Sequence, residues 1–472
     1  MDPLTLGAAE LAAAIRKREI TVAAVVEAHI ERIRRVNPMI NAVVTPTFES
    51  ARTEAADADR RITDEGTAGL PALFGVPVTI KDCWGVEGVR FTGGSWFRRD
   101  EIAGADAEVV SRLRRAGAII LGKTNLPDMC WGFESVNPVF GRTRNPRSLD
   151  HSAGGSSGGE AAIIAAGGSP LGVGSDIGGS LRNPAAINGC VSLKPSPGRV
   201  PVDDHLPRTG GAIEGWNVGG PLARRVEDLA LALEVMEDGP PLMQPEIGGV
   251  GCVTFLARGP LRPRREVAET VLIAAGALEA GGMVVSRDDS LPIDRLGFLY
   301  TNLLRKHTIT EVKEQLGGGR RYSTIRELIR GARGKPRIAR EALMVESYIR
   351  FGGLLGSVTG DDSFEKLDEY KAMIDETIGE GVLLLPLLLT RPPKHGATYL
   401  PQTQIPFATP FNATRMPAAI VPVRWTGNGL PLSVQIVGRE GADELVLAVA
   451  SELERVFGGW HVAEPGPAGE PG

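Results

Sequence analysis

The sequence predicts a single large α/β domain with a central mixed β-sheet surrounded by helices. Short apolar, strand-like runs alternate with helix-like stretches along nearly the whole chain. No internal repeat and no clear linker divides it. The 472 residues are 42% hydrophobic and 23% charged, enough apolar material for one extended core. The domain is expected to span residues 1–462, with a catalytic core at about 70–200 and inserted pocket-forming helices at about 290–375. The Pro/Gly-rich tail, 463–472, is expected to be disordered.

Taken in order, Leu11 and Ile15, then Val22, Val25, Val26, His29, Ile30 and Ile33, recur at helical spacing, with Thr5 or Thr21 as candidate caps. His29 on that face reads as a packed side chain. Ala51 to Arg61 continues as a polar helix. Leu73 to Ile80 is a short apolar strand that delivers Lys81-Asp82 at its end. A helix over Val109 to Gly117 precedes a buried strand, Ala118 to Leu121. The aromatic, irregular segment 125–147 suits either a pocket wall or loop packing. Further strands are read at 171–173, 190–193, 250–255, 283–285, 382–385, 418–423 and 431–437. Helices fill 159–166, 226–236, 266–280, 326–330, 340–351, 365–378 and 442–456.

The net charge of −5 gives no reason to expect nucleic acid or a membrane surface as partner. The longest strongly apolar run, Val382 to Leu389, contains Pro386 and is too short to span a bilayer. The first residues carry Glu10 inside their apolar stretch and do not read as a signal peptide. Cys83, Cys130, Cys190 and Cys252 are scattered without a C-x-x-C pair, and the six histidines show no ligand spacing. This argues against a disulfide scaffold and against zinc, and suits a reducing cytosol. A cytoplasmic monomer or homodimer, needing no metal or cofactor, is expected.

The stretch from Ser152 to Pro184 organises the chain. Two glycine-flanked serine sites, Gly155-Ser156-Ser157-Gly158 and Gly178-Gly179-Ser180, bracket an apolar run. Glycine allows both loops to bend tightly and present bare amides. Ser180 is expected at the N-terminal end of a helix, where unpaired N–H groups can stabilise an oxyanion. The alternative, a flexible Gly/Ser linker, would not enclose an apolar helix and strand.

Two motifs mislead. Gly117 to Thr124 satisfies the letters of a phosphate-binding P-loop, but its variable positions, Ala-Ile-Ile-Leu, read as the strand itself. Gly154 to Gly158 matches a nucleophile elbow, which requires a later histidine as base. Only His395, in an RPPKHG loop, and His461, beside the tail, lie late enough, and neither is well placed. A serine still needs a base, and a lysine kept neutral in dry surroundings can replace histidine. Lys81, at the end of an apolar strand, is the candidate. Its competing reading is a surface lysine paired with Asp82.

The combination of a lysine after GVPVTI, then GGSSGG, then GSDIGGSLRNP, resembles the amidase signature family of serine hydrolases. Ser156 follows Lys81 by 75 residues and Ser180 follows Ser156 by 24, intervals that match the family pattern. The resemblance runs from ELAAAIRKREI through FNATRMPAAIVP to GLPLSVQIVG. NPVFGRTRNP, HSAGGSSGGEAA and LKPSPGRVP bring it nearest the fatty-acid amide hydrolase branch. Lacking a transmembrane segment, it departs from the membrane-bound members, which counts against a lipid substrate.

The resemblance implies the amidase signature fold and a Ser-cisSer-Lys triad. Lys81 would be the base, Ser156, in a cis peptide, the relay, and Ser180 the nucleophile. It further implies an oxyanion hole of the Ile177, Gly178, Gly179 and Ser180 amides, and support from Ser157, Asp176 and Arg182. The loop Met129, Cys130, Trp131 and Gly132 would face a small-molecule substrate. The expected activity is hydrolysis of linear aryl or acyl amides through an acyl-enzyme, with esters and carbamates (urethanes) in range. Alternatives are the A subunit of a tRNA-dependent amidotransferase, for which the basic stretch 320–340 speaks, an α/β-hydrolase-like esterase, and a catalytically silent binding module.

Overall fold

The computed structural model describes residues 1–239, 241–351, 363–399 and 405–465. Eleven of its strands form one sheet: β1 Val43–Pro46, β2 Pro77–Lys81, β3 Ile119–Thr124, β4 Leu171–Asp176, β5 Val191–Lys194, β6 Val218–Ala223, β7 Gly251–Thr254, β8 Val284–Arg287, β9 Val382–Pro386, β10 Ala418–Trp425 and β11 Pro431–Gly438. Their spatial order is β1-β3-β2-β4-β6-β5-β10-β11-β9-β7-β8. The β3-β2-β4 and β9-β7-β8 runs are parallel, and the strands between them antiparallel, so the sheet is mixed as the sequence predicts.

Parallel neighbours need crossovers, and helices supply them. Glu108–Arg115 joins β2 to β3, Gly158–Ala165 precedes β4, and Arg265–Ala280 joins β7 to β8. Gly158–Ala165 is buried along its whole length, because sheet and outer helices cover it from both sides. Apart from Glu160, its residues are accordingly small or apolar around its whole circumference, not on one stripe. Thr21 caps helix Val22–Ile40 by accepting from the Ala24 amide at 3.2 Å, whereas the preceding helix, Ala8–Arg16, starts at Gly7 and not Thr5. His29 is packed as read: buried, with Nδ1 2.8 Å from the Val25 carbonyl, and lowered by burial to a pKa of about 3.

Two apolar clusters make up most of the interior. One joins the N-terminal helices, the first strands and helix Asp443–Phe457. The second lies under helix Ile293–Leu316 and includes Trp131, Trp216, Tyr300, Phe407 and Phe411. The site sits where these two meet. The inserted region is helical, with Ile293–Leu316, Thr324–Ala332, Arg340–Phe351 and Phe364–Ile378. No helix among the described residues is long and apolar enough to cross a membrane.

The tail departs from expectation at its first residues. Ala463 donates its amide to Ala165 at 2.8 Å, and Glu464 pairs with Arg32 at 2.9 Å. The buried Arg32 guanidinium needs an anion, and the chain end supplies it. The rest of the tail, 466–472, lies outside the described residues.

Candidate active site

Lys81 ends β2 between β3 and β4 and is wholly buried. Its Nζ donates to Ser156 Oγ at 2.6 Å and to Ser175 Oγ at 2.9 Å. Successive residues of an extended strand point to opposite sides. Asp82 therefore turns away, to Lys123 Nζ at 2.9 Å and the Thr92 hydroxyl at 2.5 Å. The surface-pair reading of Lys81 fails on both counts. The same ion pair occupies the lysine of the P-loop-like letters, and Ile119 to Leu121 are strand residues.

Ser156 stands in the turn before helix Gly158–Ala165, and the Gly155–Ser156 peptide is cis. A Cβ on Gly155 would come within 2.8 Å of the Gly132 carbonyl and the Glu134 amide, so this turn requires glycine. Ser157 binds the two serine loops together. Its amide donates to the Ser180 carbonyl at 3.1 Å, and its hydroxyl lies 3.3 Å from the Ser175 carbonyl.

The second serine loop follows β4. Asp176 accepts the amides of Gly179 at 2.6 Å and Leu181 at 3.0 Å. It is ion-paired with Arg182 at 3.0 Å, both side chains wholly buried. Burial alone would raise the Asp176 carboxyl; Arg182, Asn412 and the Gly179 amide outweigh it and hold the group well below the usual carboxylate range. Arg182 is fixed in turn by Asn412 Oδ1 at 2.6 Å and Gln435 Oε1 at 2.8 Å.

This arrangement alters the expected set of four amides. The Gly179 N–H closes a turn on the Asp176 carboxylate three residues before it and faces inward. Among the described residues, nothing accepts from the amides of Ile177, Gly178 or Ser180. Gly179 holds φ at 111°, and a Cβ there would lie 2.6 Å from that of Ala408. Ser180 is 5% exposed, and the following helix begins at Arg182.

Met129, Cys130, Trp131, Ile177, His205 and Pro207 line a tight crevice, with room for about one water, that reaches Ser156 and Ser175. Met129, Pro207 and Thr209 also border a wider hollow of about 560 Å³. Gly132 is not on the cleft wall; a Cβ there would meet Pro127 at 3.1 Å. The Trp131 indole N–H donates to Gln315 Oε1 at 3.2 Å, tying the loop to helix Ile293–Leu316. Tyr300, on that helix, donates its hydroxyl to the Ile177 carbonyl at 2.7 Å.

Several groups escaped sequence reading. Ser175, 2.9 Å from Lys81, carries a weak signal as a polar residue inside an apolar strand. Asn412 lies in FNATRMPAAIVP, yet nothing in that stretch announces its bond to Asp176. Glu160 is buried behind the site on the Thr79 and Thr124 hydroxyls and is pushed up to about 8 by burial. The reading of scattered cysteines and isolated histidines is corrected: Cys83, Cys130 and His205 meet, their ligand atoms all within 4.8 Å of one another. Spacing rules cannot find a cluster gathered from three separate loops. His395 and His461 serve elsewhere, His395 on Glu134 at 2.6 Å and His461 against Arg147 at 3.1 Å. In the basic stretch, Arg330 and Arg337 pair with the buried Glu327.

A family model described as amidase matches residues 24–447. Fatty-acid amide hydrolase 2 of Homo sapiens is 34% identical over 507 residues, covering 97% of this chain and 90% of that protein. An acylamidase of Rhodococcus erythropolis is 32% identical over 473 residues, covering 96% and 95%. Among solved structures, a 6-aminohexanoate cyclic dimer hydrolase complexed with substrate superposes with a TM-score of 0.75 at 28% identity, over 97% of this chain and 98% of the other.

Proposed function

The chain belongs to the amidase family of hydrolases acting on amide carbon–nitrogen bonds, and from that premise we propose that it cleaves linear aryl or acyl amides through Lys81, Ser156 and Ser180. The observation that carries this reading is the buried 2.6 Å contact from Lys81 Nζ to Ser156 Oγ, beside a glycine loop with unclaimed amides.

Lys81 takes the Ser156 hydroxyl proton while Ser156 takes that of Ser180. The Ser180 oxygen attacks the carbonyl carbon, and the charge on the carbonyl oxygen is received by the amides of Ile177, Gly178 and Ser180. When the tetrahedral intermediate collapses, the carbon–nitrogen bond breaks. The proton returns from Lys81 through Ser156 to the departing amine. Water then repeats the sequence on the Ser180 ester, releasing the acid and restoring the hydroxyl. Asp176 and Arg182 hold the loop that carries Ser180, and Ser157 fixes it to the Ser156 turn.

The tight crevice walled by Met129, Trp131, Ile177 and Pro207 admits a group only as these walls give way, which favours a flat aryl or slender acyl group over a bulky one. A carbamate presents the same trigonal carbonyl and falls within the same chemistry, as does an ester. The test is a panel of anilides, matched esters and aryl carbamates, with Ser180→Ala as control. Release of amine by the isolated chain supports the reading. Good ester cleavage with no amine from either anilides or carbamates would reduce the protein to an esterase. Dependence on a second protein would favour the amidotransferase reading.

A further inference from the structure

Beside the serine–lysine site, in contact with Ser175, lies a group that the mechanism does not use. Cys83 follows β2, Cys130 sits in the Met129–Trp131 turn, and His205 comes from the loop after β5. Their Sγ, Sγ and Nε2 or Nδ1 atoms all lie within 4.8 Å of one another. A tetrahedral site with metal–sulfur bonds near 2.3 Å and metal–nitrogen bonds near 2.0 Å spaces its ligand atoms about 3.5–3.8 Å apart. Small side-chain rotations close the difference.

The histidine is set for ligation. Its Nδ1 lies 2.9 Å from the Pro207 carbonyl, which can only accept, and 3.2 Å from the Asn217 amide nitrogen; the shorter contact requires the proton on Nδ1. Nε2 then presents a lone pair, 2.8 Å from Ser175 Oγ. A carbonyl on the far nitrogen is the partner that orients metal-binding imidazoles. Cys83 Sγ lies 3.7 Å from that same Ser175 oxygen, so the hydroxyl marks the side on which a fourth ligand would stand. Cys130 and His205 line the crevice beside Ser156, and through Met129 and Pro207 it borders the wider hollow, which gives an ion a path to them. Two thiolates and one imidazole form a soft donor set, which prefers zinc, cadmium or cuprous ions to magnesium or calcium.

We propose that Cys83, Cys130 and His205 form a binding site for a thiophilic metal ion, Zn²⁺ being the commonest, that inhibits the adjoining serine–lysine site. On binding, each thiol gives its proton to solvent, two sulfur–metal bonds and one nitrogen–metal bond form, and nothing is oxidised or reduced. Nε2 ceases to accept from Ser175, the hydroxyl that also accepts from Lys81 at 2.9 Å. The cation also stands close to the Lys81 amine. Both changes disturb the group that takes the Ser156 proton.

The test titrates the reduced full-length protein with Co²⁺, following the thiolate-to-cobalt charge-transfer band and the d–d bands of a tetrahedral site. The expected result is saturation at one ion per chain, displacement by Zn²⁺, and no competition from Mg²⁺. Cys130→Ser and His205→Gln should each weaken binding at least tenfold, while Cys190→Ser and Cys252→Ser should leave it unchanged. Circular dichroism verifies that each variant is folded, and Cys130, less deeply buried than Cys83, provides a milder variant should His205→Gln not fold. No charge-transfer band in the wild type, or a band unmoved by Cys130→Ser, overturns the site. These spectra are independent of turnover and stand apart from the proposed hydrolysis. In the activity arm, Zn²⁺ should slow the wild type at least tenfold, reversibly with chelator. Saturation with Zn²⁺ at full activity would overturn the inhibitory role.

Discussion

The floor and the roof of the site are built on opposite principles. On the floor, Lys81, Ser156, Ser175, Asp176 and Arg182 are at most 5% exposed, and each is held by partners from at least one other element. The roof consists of the Met129–Trp131 turn, the 205–210 loop and the inserted helices. Met129 and Cys130 hold φ at 49° and 61°, a region that non-glycine residues seldom occupy. Helix Thr324–Ala332 leaves Ile325, Leu328 and Ile329 exposed. The floor is built of buried, mutually bonded polar groups at strand ends and in the turns beside them. The covering has fewer ties and can vary without disturbing the floor.

The largest loss is expected at Ser180. Ser180→Ala should lower turnover at least about a thousandfold, roughly 4 kcal/mol of barrier, with an unchanged melting temperature, as steady-state assays and thermal melts would reveal. An activity within tenfold of wild type would remove Ser180 from the reaction. Lys81→Ala should lose nearly as much near neutral pH and recover partly in alkali, where hydroxide can replace the base. A pH profile parallel to that of the wild type would count against Lys81.

Stability should be lost next at Arg182. Removing one partner of a buried ion pair leaves the other charge uncompensated, and Arg182→Met should cost about 3–5 kcal/mol in denaturant unfolding. A cost below 1 kcal/mol would mean that Asp176 is satisfied by Asn412 and the loop amides alone.

Glu160 tests the floor through pH. Burial raises its carboxyl from 4.5 to about 8, so the folded state keeps a proton that the unfolded chain releases near the ordinary value. The stability it contributes is complete below about 4.5 and drains away as pH rises to about 8. Glu160→Gln keeps an amide on the Thr79 and Thr124 hydroxyls and should flatten the decline of melting temperature across that window. An unaltered slope would show that Glu160 does not hold the proton.

The roof should respond least. Trp131→Phe removes the N–H bond to Gln315, worth about 1 kcal/mol. It should shift KM severalfold for bulky aryl substrates with little change in kcat for the smallest amide. A fall in kcat for every substrate would place Trp131 with the floor.

Sequence alone carried the α/β class, most strands, the lysine and both serine loops, because these features are local. Apolar runs, glycine turns and a strand ending in a charged residue are visible within a few positions. Strands β1 and β6 and the full length of helix Ile293–Leu316 were not resolved in that reading. β1 has only four residues, β6 is broken by two glycines and a proline, and the helix is long and mixed in polarity. Tertiary structure decided which polar groups meet. Asp82 belongs to Lys123 and not to Lys81, the Gly179 amide belongs to Asp176, and Asn412 closes on a loop 236 residues earlier. Likewise Cys83, Cys130 and His205, unremarkable in the chain, come within reach of one another only when three loops converge. Local spacing encodes which residues are presented; the packing of distant elements determines what each is presented to.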